Sequence, residues 1–228
     1  MHIRQRGNDG QDCFRHENDR LVYLINLHEL CAKVGCALHA YCLMTNHVHL
    51  LMTPPAEGAC GTLMRELGQR YVQYFNRRHE RTGTLWEGRF RSCLVESREY
   101  VLWCHRYIEM NPVRAGLAPQ PSAYRWSSHE GNVGSSDNPL LRPHAEYTAL
   151  AEEPAARQAA YRRMFDGQED PAFLAAIRNA TTGGYALVGA ELKSKLVGNA
   201  RHRLEPGKAG RRPTEAADAE TLSLELGL

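Results

Sequence analysis

The stretch ALHAYCLM at residues 37–44, the pair Thr45-Asn46 and the stretch HVHLLMT at residues 47–53 decide how this chain folds. Two short runs rich in apolar and β-forming residues, joined by a two-residue polar turn, read as an antiparallel pair of strands. Pro54-Pro55 stops the second run, because proline cannot donate to a strand ladder. Side chains alternate along a strand, so His47 and His49 point to one face and Val48 to the other. The two imidazoles then sit about 7 Å apart along the strand, a ready pair of cis ligands for one divalent ion. His-x-His alone is not diagnostic in a chain with 11 histidines.

The segments on either side fall into register with this pair. Upstream, His2 to Arg6 reads as a short strand closed by the turn at Gly7 to Gly10, and Leu21, Leu24, Ile25, Leu27, Leu30 and Cys31 give a helical stripe over 17–33 that Gly35 ends. Downstream, Leu63, Leu67, Tyr71, Tyr74 and Phe75 mark an amphipathic helix from Thr62 to about His79. Leu85 to Phe90 and Cys93 to Val95 suggest strand material around Gly88, and a further helix runs from Ser97, a plausible N-cap, to Met110. Pro112 disfavours helical geometry at Asn111 and ends it. The order β-α-β-β-α-β-α predicts an α+β fold: a ferredoxin-like sandwich, with one antiparallel sheet, helices packed on it and a C-terminal helical extension. Residues 1–130 are expected to form the compact domain and 131–195 a helical appendage, with helices near 154–165 and 171–180. Residues 196–228 are expected to be a weakly ordered tail, first basic and then acidic.

Hydrophobic residues at 43% and charged residues at 24% exclude a disordered chain. No run approaches the roughly 18 apolar residues of a membrane span, and the opening lacks an apolar signal core, so a cytoplasmic protein is expected. Seven scattered cysteines with no C-x-x-C pair argue for reduced core thiols rather than a zinc ribbon. Net charge is only +2, but Arg65 to Arg114 holds ten arginines and no lysine against six acids. The guanidinium fork suits phosphate, so Arg70, Arg77, Arg78, Arg89, Arg91 and Arg114 are candidates for contacts along a nucleic-acid backbone, with Trp86 as a stacking platform for bases. The arginine preference itself, 24 against four lysines, equally suits a GC-rich genome, which leaves the clustering unexplained.

Tyr107 and Asn111 stand four apart at a helix end and share a face. If that face looks toward the His-x-His strand, Asn111 supplies an amide oxygen as third ligand and the Tyr107 hydroxyl reaches the same ion or its substrate. Spacing alone leaves Tyr71, Tyr74 and Tyr100 open as rival nucleophiles, and Tyr107 also continues a core stripe with Tyr100 and Cys104.

The motifs LHAYCLMTNHVHLL (38–51), FNRRH (75–79), GTLWEGRF (83–90), RYIEMNPVRAG (106–116) and YRWSS (124–128) together resemble the REP-associated tyrosine transposases, relatives of the single-tyrosine, insertion-sequence-200-like HUH transposases. The resemblance spans residues 2–128. It departs at the start, where relatives carry more of the first strand, and at Thr45, where proline is common. It implies that His47 and His49 bind Mg²⁺ or Mn²⁺ with Asn111 as a further ligand, and that Tyr107 is the nucleophile. The implied activity is cleavage and rejoining of single-stranded DNA or DNA hairpins through a 5′-phosphotyrosine. The main rival is a DNA-binding regulator of the same fold without catalysis. A zinc hydrolase is a weaker rival, lacking a general-base glutamate beside the histidines. Monomer and homodimer are both open.

Overall fold

The computed structural model describes residues 1–96 and 98–188. The expected N-cap at Ser97 and the expected tail from residue 196 lie outside them. The chain runs through β1 (His2–Arg6), α1 (Glu17–Val34), β2 (Ala37–Leu43), β3 (His47–Thr53), α2 (Ala59–Arg78), β4 (Arg91–Cys93), β5 (Val95–Glu96) and α3 (Arg98–Glu109). It continues through α4 (Asn111–Arg114), α5 (His129–Asn132), α6 (Ala145–Thr148), α7 (Pro154–Arg163), α8 (Pro171–Gly183) and β6 (Leu187–Val188). Strands β1 to β4 form one antiparallel sheet in the order β2-β3-β1-β4, the arrangement of a ferredoxin-like βαββαβ unit. The fold is α+β, as the order of elements predicts.

Alternation along the strands splits the core in two. Ile3, Val48, Leu50 and Met52 face Tyr23, Leu27 and Leu30 of α1 and Leu63, Leu67 and Tyr71 of α2. Each such buried side chain contributes roughly 1.5–3 kcal/mol, which fixes the register against a one-residue slip. On the opposite face, Ala40, Cys42 and Leu51 meet Val101, Cys104 and Ile108 of α3. That same cluster includes Phe173, Ile177 and Ala180 of α8. The boundary expected at residue 130 therefore does not separate two cores: α8 packs on β1 and β4 as part of the domain.

The expected strand at 85–90 is also absent. Gly88 adopts φ 81, and its N–H bonds back to the Trp86 carbonyl, so the segment turns, with one isolated bridge between Gly7 and Trp86. Regular pairing begins only at Arg91. All seven cysteines are buried free thiols. Among the described residues, no helix is long and apolar enough to cross a membrane.

Candidate functional site

In the β1–β3 register Arg4 lies opposite His49 and Arg6 opposite His47, so both imidazoles stand on the face covered by α3 and α8. Their ring centroids are 5.0 Å apart and nearly perpendicular. Tyr107 comes to them from α3, and its ring meets that of His49 edge-on at 5.6 Å. Asn111 opens α4 one turn later and faces the same pocket. The four residues line one pocket of about 300 Å³.

The orientation of each ring is set by its Nδ1. The Asn46 amide nitrogen donates to the Gly10 carbonyl (3.2 Å), which turns its oxygen toward His47 Nδ1 at 2.7 Å. His49 Nδ1 lies 2.8 Å from His2 Nε2, with the two rings nearly parallel. Burial, reinforced by Arg4 and Arg6, holds His47 down at about 4 against a weaker lift from Asn111. Burial and the surrounding positive charge depress His49 further, and burial brings His2 down to about 3. The rings are neutral at pH 7, the protonation state a metal ligand needs.

Tyr107 is 6% exposed. Burial raises its hydroxyl above the usual tyrosine value, opposed by the Arg114 charge and by a hydrogen bond and charge from Arg178. The Arg114 guanidinium lies 4.6 Å over the Tyr107 ring, bonds to the Tyr107 carbonyl, and pairs with Glu169 at 2.6 Å. Arg114 is thus built into the wall behind the tyrosine, not set out along a backbone groove as the charge pattern suggests.

Among the described residues, no group of three or more His, Cys, Asp or Glu side chains is placed to hold a metal. A divalent ion here would rely on His47, His49 and the amide oxygen of Asn111. The donor set fits a divalent ion: two neutral imidazoles suit a transition metal such as Mn²⁺ better than Mg²⁺, and an amide carbonyl suits either. The Asn111 amide nitrogen is buried without a partner within the protein.

The other arginines fall in two places. Arg70, Arg77 and Arg78 flank a shallow depression with Asn26 and Tyr74 on the outer side of α1 and α2, where Arg70 pairs with Glu29 at 3.2 Å. Arg89 and Arg91 join Arg65 in a cleft of about 1240 Å³ between α2 and residues 86–92. Arg91 sits opposite Arg4 in the β1–β4 register, and Arg4 lines the tyrosine pocket, so a line of arginines leads from cleft to pocket. Trp86 borders the cleft but is 6% exposed, its ring packed 6.0 Å from Tyr71. It is a core residue, with no free face for a base. Tyr71 is fully buried, its hydroxyl given to the Cys13 carbonyl, and Tyr74 donates to Asp19; neither lines the pocket.

Residues 2–111 match the family model described as "Transposase IS200 like". Over these residues, just under half of the chain, the sequence is similar to the IS200-like transposases. A solved structure titled as a REP-associated tyrosine transposase bound to a REP hairpin is similar to it with a TM-score of 0.45 and 16% identity, over 63% of this chain and 84% of that one. No curated protein matches significantly. The matched region takes in His2, the histidine pair, Tyr107 and Asn111, but stops short of Arg178 and Thr181, which α8 adds to the pocket. Spacing gave no hint of these two or of His2; only the alternation of residues 2–6 placed His2 on a strand.

Proposed function

We propose that this domain cleaves and rejoins single-stranded DNA through a 5′-phosphotyrosine, with Tyr107 as nucleophile and a divalent cation held by His47, His49 and Asn111. The observation that carries the reading is the convergence of these four side chains on one pocket. The bound cation, Mg²⁺ or Mn²⁺, would polarise a non-bridging phosphate oxygen and offset charge developing at phosphorus.

The residues themselves do the rest. Arg178 lines the pocket with Tyr107 and Arg114 lies over its ring, and both positive charges favour the phenolate that a tyrosine of ordinary pKa lacks at neutral pH. The Tyr107 oxygen forms a bond to phosphorus as the bond from phosphorus to the 3′ oxygen breaks. The phenol proton goes to solvent and the departing 3′ oxygen takes one up. Reversal by another 3′-hydroxyl regenerates the tyrosine and joins the strands without a nucleotide cofactor. An unpaired strand suits this pocket because the tyrosine is recessed, and the line of Arg65, Arg89, Arg91 and Arg4 offers phosphate contacts from the cleft inward.

A labelled single-stranded hairpin incubated with the protein and Mn²⁺ should give a covalent adduct on a denaturing gel. Tyr107→Phe removes one hydroxyl while keeping the ring against His49 and Arg114, so it should abolish the adduct at nearly unchanged DNA affinity. An adduct at wild-type level in that variant moves the nucleophile elsewhere. Hairpin binding with no adduct in the wild type would make the domain a DNA-binding regulator instead.

A further inference from the structure

The pocket has a hydrogen-bonded backing whose proton positions follow from elementary donor counting. Thr181 of α8 contacts three groups through its hydroxyl: the Ile177 carbonyl at 2.7 Å, His2 Nδ1 at 2.8 Å and Cys93 Sγ at 3.3 Å. A hydroxyl has one hydrogen and two acceptor sites. A carbonyl cannot donate, so the Thr181 hydrogen goes to Ile177, and the hydroxyl oxygen accepts from His2 Nδ1–H. His2 is 0% exposed and its ring nitrogens meet only the Thr181 hydroxyl and His49 Nδ1, with no carboxylate among these partners to hold a second proton on the ring. His2 Nε2 is then a bare lone pair, and the hydrogen in its 2.8 Å contact with His49 must come from His49 Nδ1. With its hydrogen on Nδ1, His49 keeps a lone pair on Nε2.

We propose that Thr181 and His2 are positioning residues that hold His49 in the Nδ1–H tautomer, leaving its Nε2 to ligate the divalent cation. This rests on the metal reading given above. Asn46 acts on His47 in the same sense, since its amide oxygen accepts from His47 Nδ1. The two imidazoles are anchored at very different sequence distances. Asn46 is the neighbour of its histidine, whereas Thr181 stands 179 residues from the ring it orients. Both imidazole contacts are buried: His2 is 0% exposed, His49 1% and Thr181 2%, so water does not substitute for a missing partner.

The critical substitution is Thr181→Val, equal in size but unable to accept. His2 is then free to carry its hydrogen on Nε2 and donate to His49 Nδ1, which moves the His49 hydrogen to Nε2 and blocks the ligating position. Partners of this kind typically change metal affinity 10- to 100-fold when removed. Thr181→Ser retains the hydroxyl and should rescue.

Two measurements test this on the full chain. Long-range ¹H–¹⁵N correlation of ¹⁵N-histidine-labelled protein, without metal, reads the tautomers: His49 is expected as Nδ1–H in the wild type and in Thr181→Ser, and as Nε2–H or a mixture in Thr181→Val. Calorimetry with Mn²⁺ alone is expected to show 10- to 100-fold weaker binding for Thr181→Val and near wild-type binding for Thr181→Ser. Wild-type His49 in the Nε2–H form overturns the proposal, as does unchanged Mn²⁺ affinity in Thr181→Val. A wild-type protein with the expected tautomers but no Mn²⁺ affinity overturns the metal reading and, with it, the ligating role of His49, while leaving the hydrogen-bond chain standing.

Discussion

Glu109→Gln is expected to destabilise the protein by about 3 kcal/mol, because each bond to a charged acceptor is worth roughly 1.5–3 kcal/mol and two of them turn unfavourable. Glu109 lies two residues beyond Tyr107, is 0% exposed and has no lysine or arginine partner among its bonds. One oxygen accepts from Ser128 Oγ (2.6 Å) and Asn132 Nδ2 (2.7 Å), the other lies 3.0 Å from both His129 Nδ1 and the Tyr161 hydroxyl. A glutamine keeps the first pair on its oxygen but sets an NH₂ against the second. Tyr161 has a way out, turning its hydroxyl to His105 Nδ1 at 3.3 Å, while His129 must give up its Nδ1 hydrogen. Glu109→Ala should cost more, since it adds a cavity to the lost acceptors.

By urea titration the glutamine variant should lose about 3 kcal/mol, and its melting temperature should fall by roughly 6–12 °C, at 2–4 °C per kcal/mol for a domain of this size. Burial alone would push the Glu109 carboxyl up, but the hydrogen bond and charge of His129, the charge of His105 and the Ser128 bond outweigh it and hold it below its usual 4.5. The folded value lies below the unfolded one. The stabilisation is therefore complete above the ordinary carboxylate range and is lost as pH falls through the depressed folded value. The gap between wild type and glutamine variant should stay constant from pH 7 to about 5 and close only in stronger acid. A loss under about 1 kcal/mol at pH 7 would show that the carboxyl is neutral in the fold or that the network relaxes freely, and would refute the reasoning.

Two further outcomes are expected. Replacing either His47 or His49 by alanine should sharply weaken Mn²⁺ binding in calorimetry and reduce adduct formation; unchanged affinity in both would remove them as ligands. In salt titrations of hairpin binding by fluorescence anisotropy, Arg89→Ala with Arg91→Ala should flatten the log-log slope by roughly 1 to 1.5, at about 0.7 counterion per phosphate on a single strand. Arg77→Ala with Arg78→Ala should change it less, and the reverse ranking would move the DNA path to the outer side of α1 and α2.

Periodicity carried much of the fold because each strand and long helix had one apolar side. The alternation in 47–53 and the 3.6-residue stripe of 62–79 are local signals, and local signals survive in a sequence. The i, i+4 pair Tyr107 and Asn111 was legible in the same way, and the sheet register brings it to His47 and His49. What spacing could not carry was any contact made by the fold itself. His2, Arg178 and Thr181 reach the pocket only after α8 packs on β1 and β4. Arg114 and Trp86 misled for a related reason: a guanidinium or an indole has the same letter in a wall as on a surface, and only burial distinguishes them. Trp86 and Phe90 are residue types common in strands, yet one left-handed glycine at 88 was enough to turn the segment aside.

The bond between His2 and Thr181 also sets a time at which this chain becomes whole. The anchor of the His2 ring is synthesised 179 residues after the ring itself, roughly 10–40 s later at 5–20 residues per second. In the last part of that interval, once Asn111 has been made, the histidine pair and Tyr107 already exist on the ribosome, but α8, with Arg178 and Thr181, does not. A nascent chain, or one cut short by a premature stop before α8, carries every residue of the family motif with His49 unanchored. On the proposed reading, a protein that cuts DNA is armed last, by the final helix to be made among its described elements.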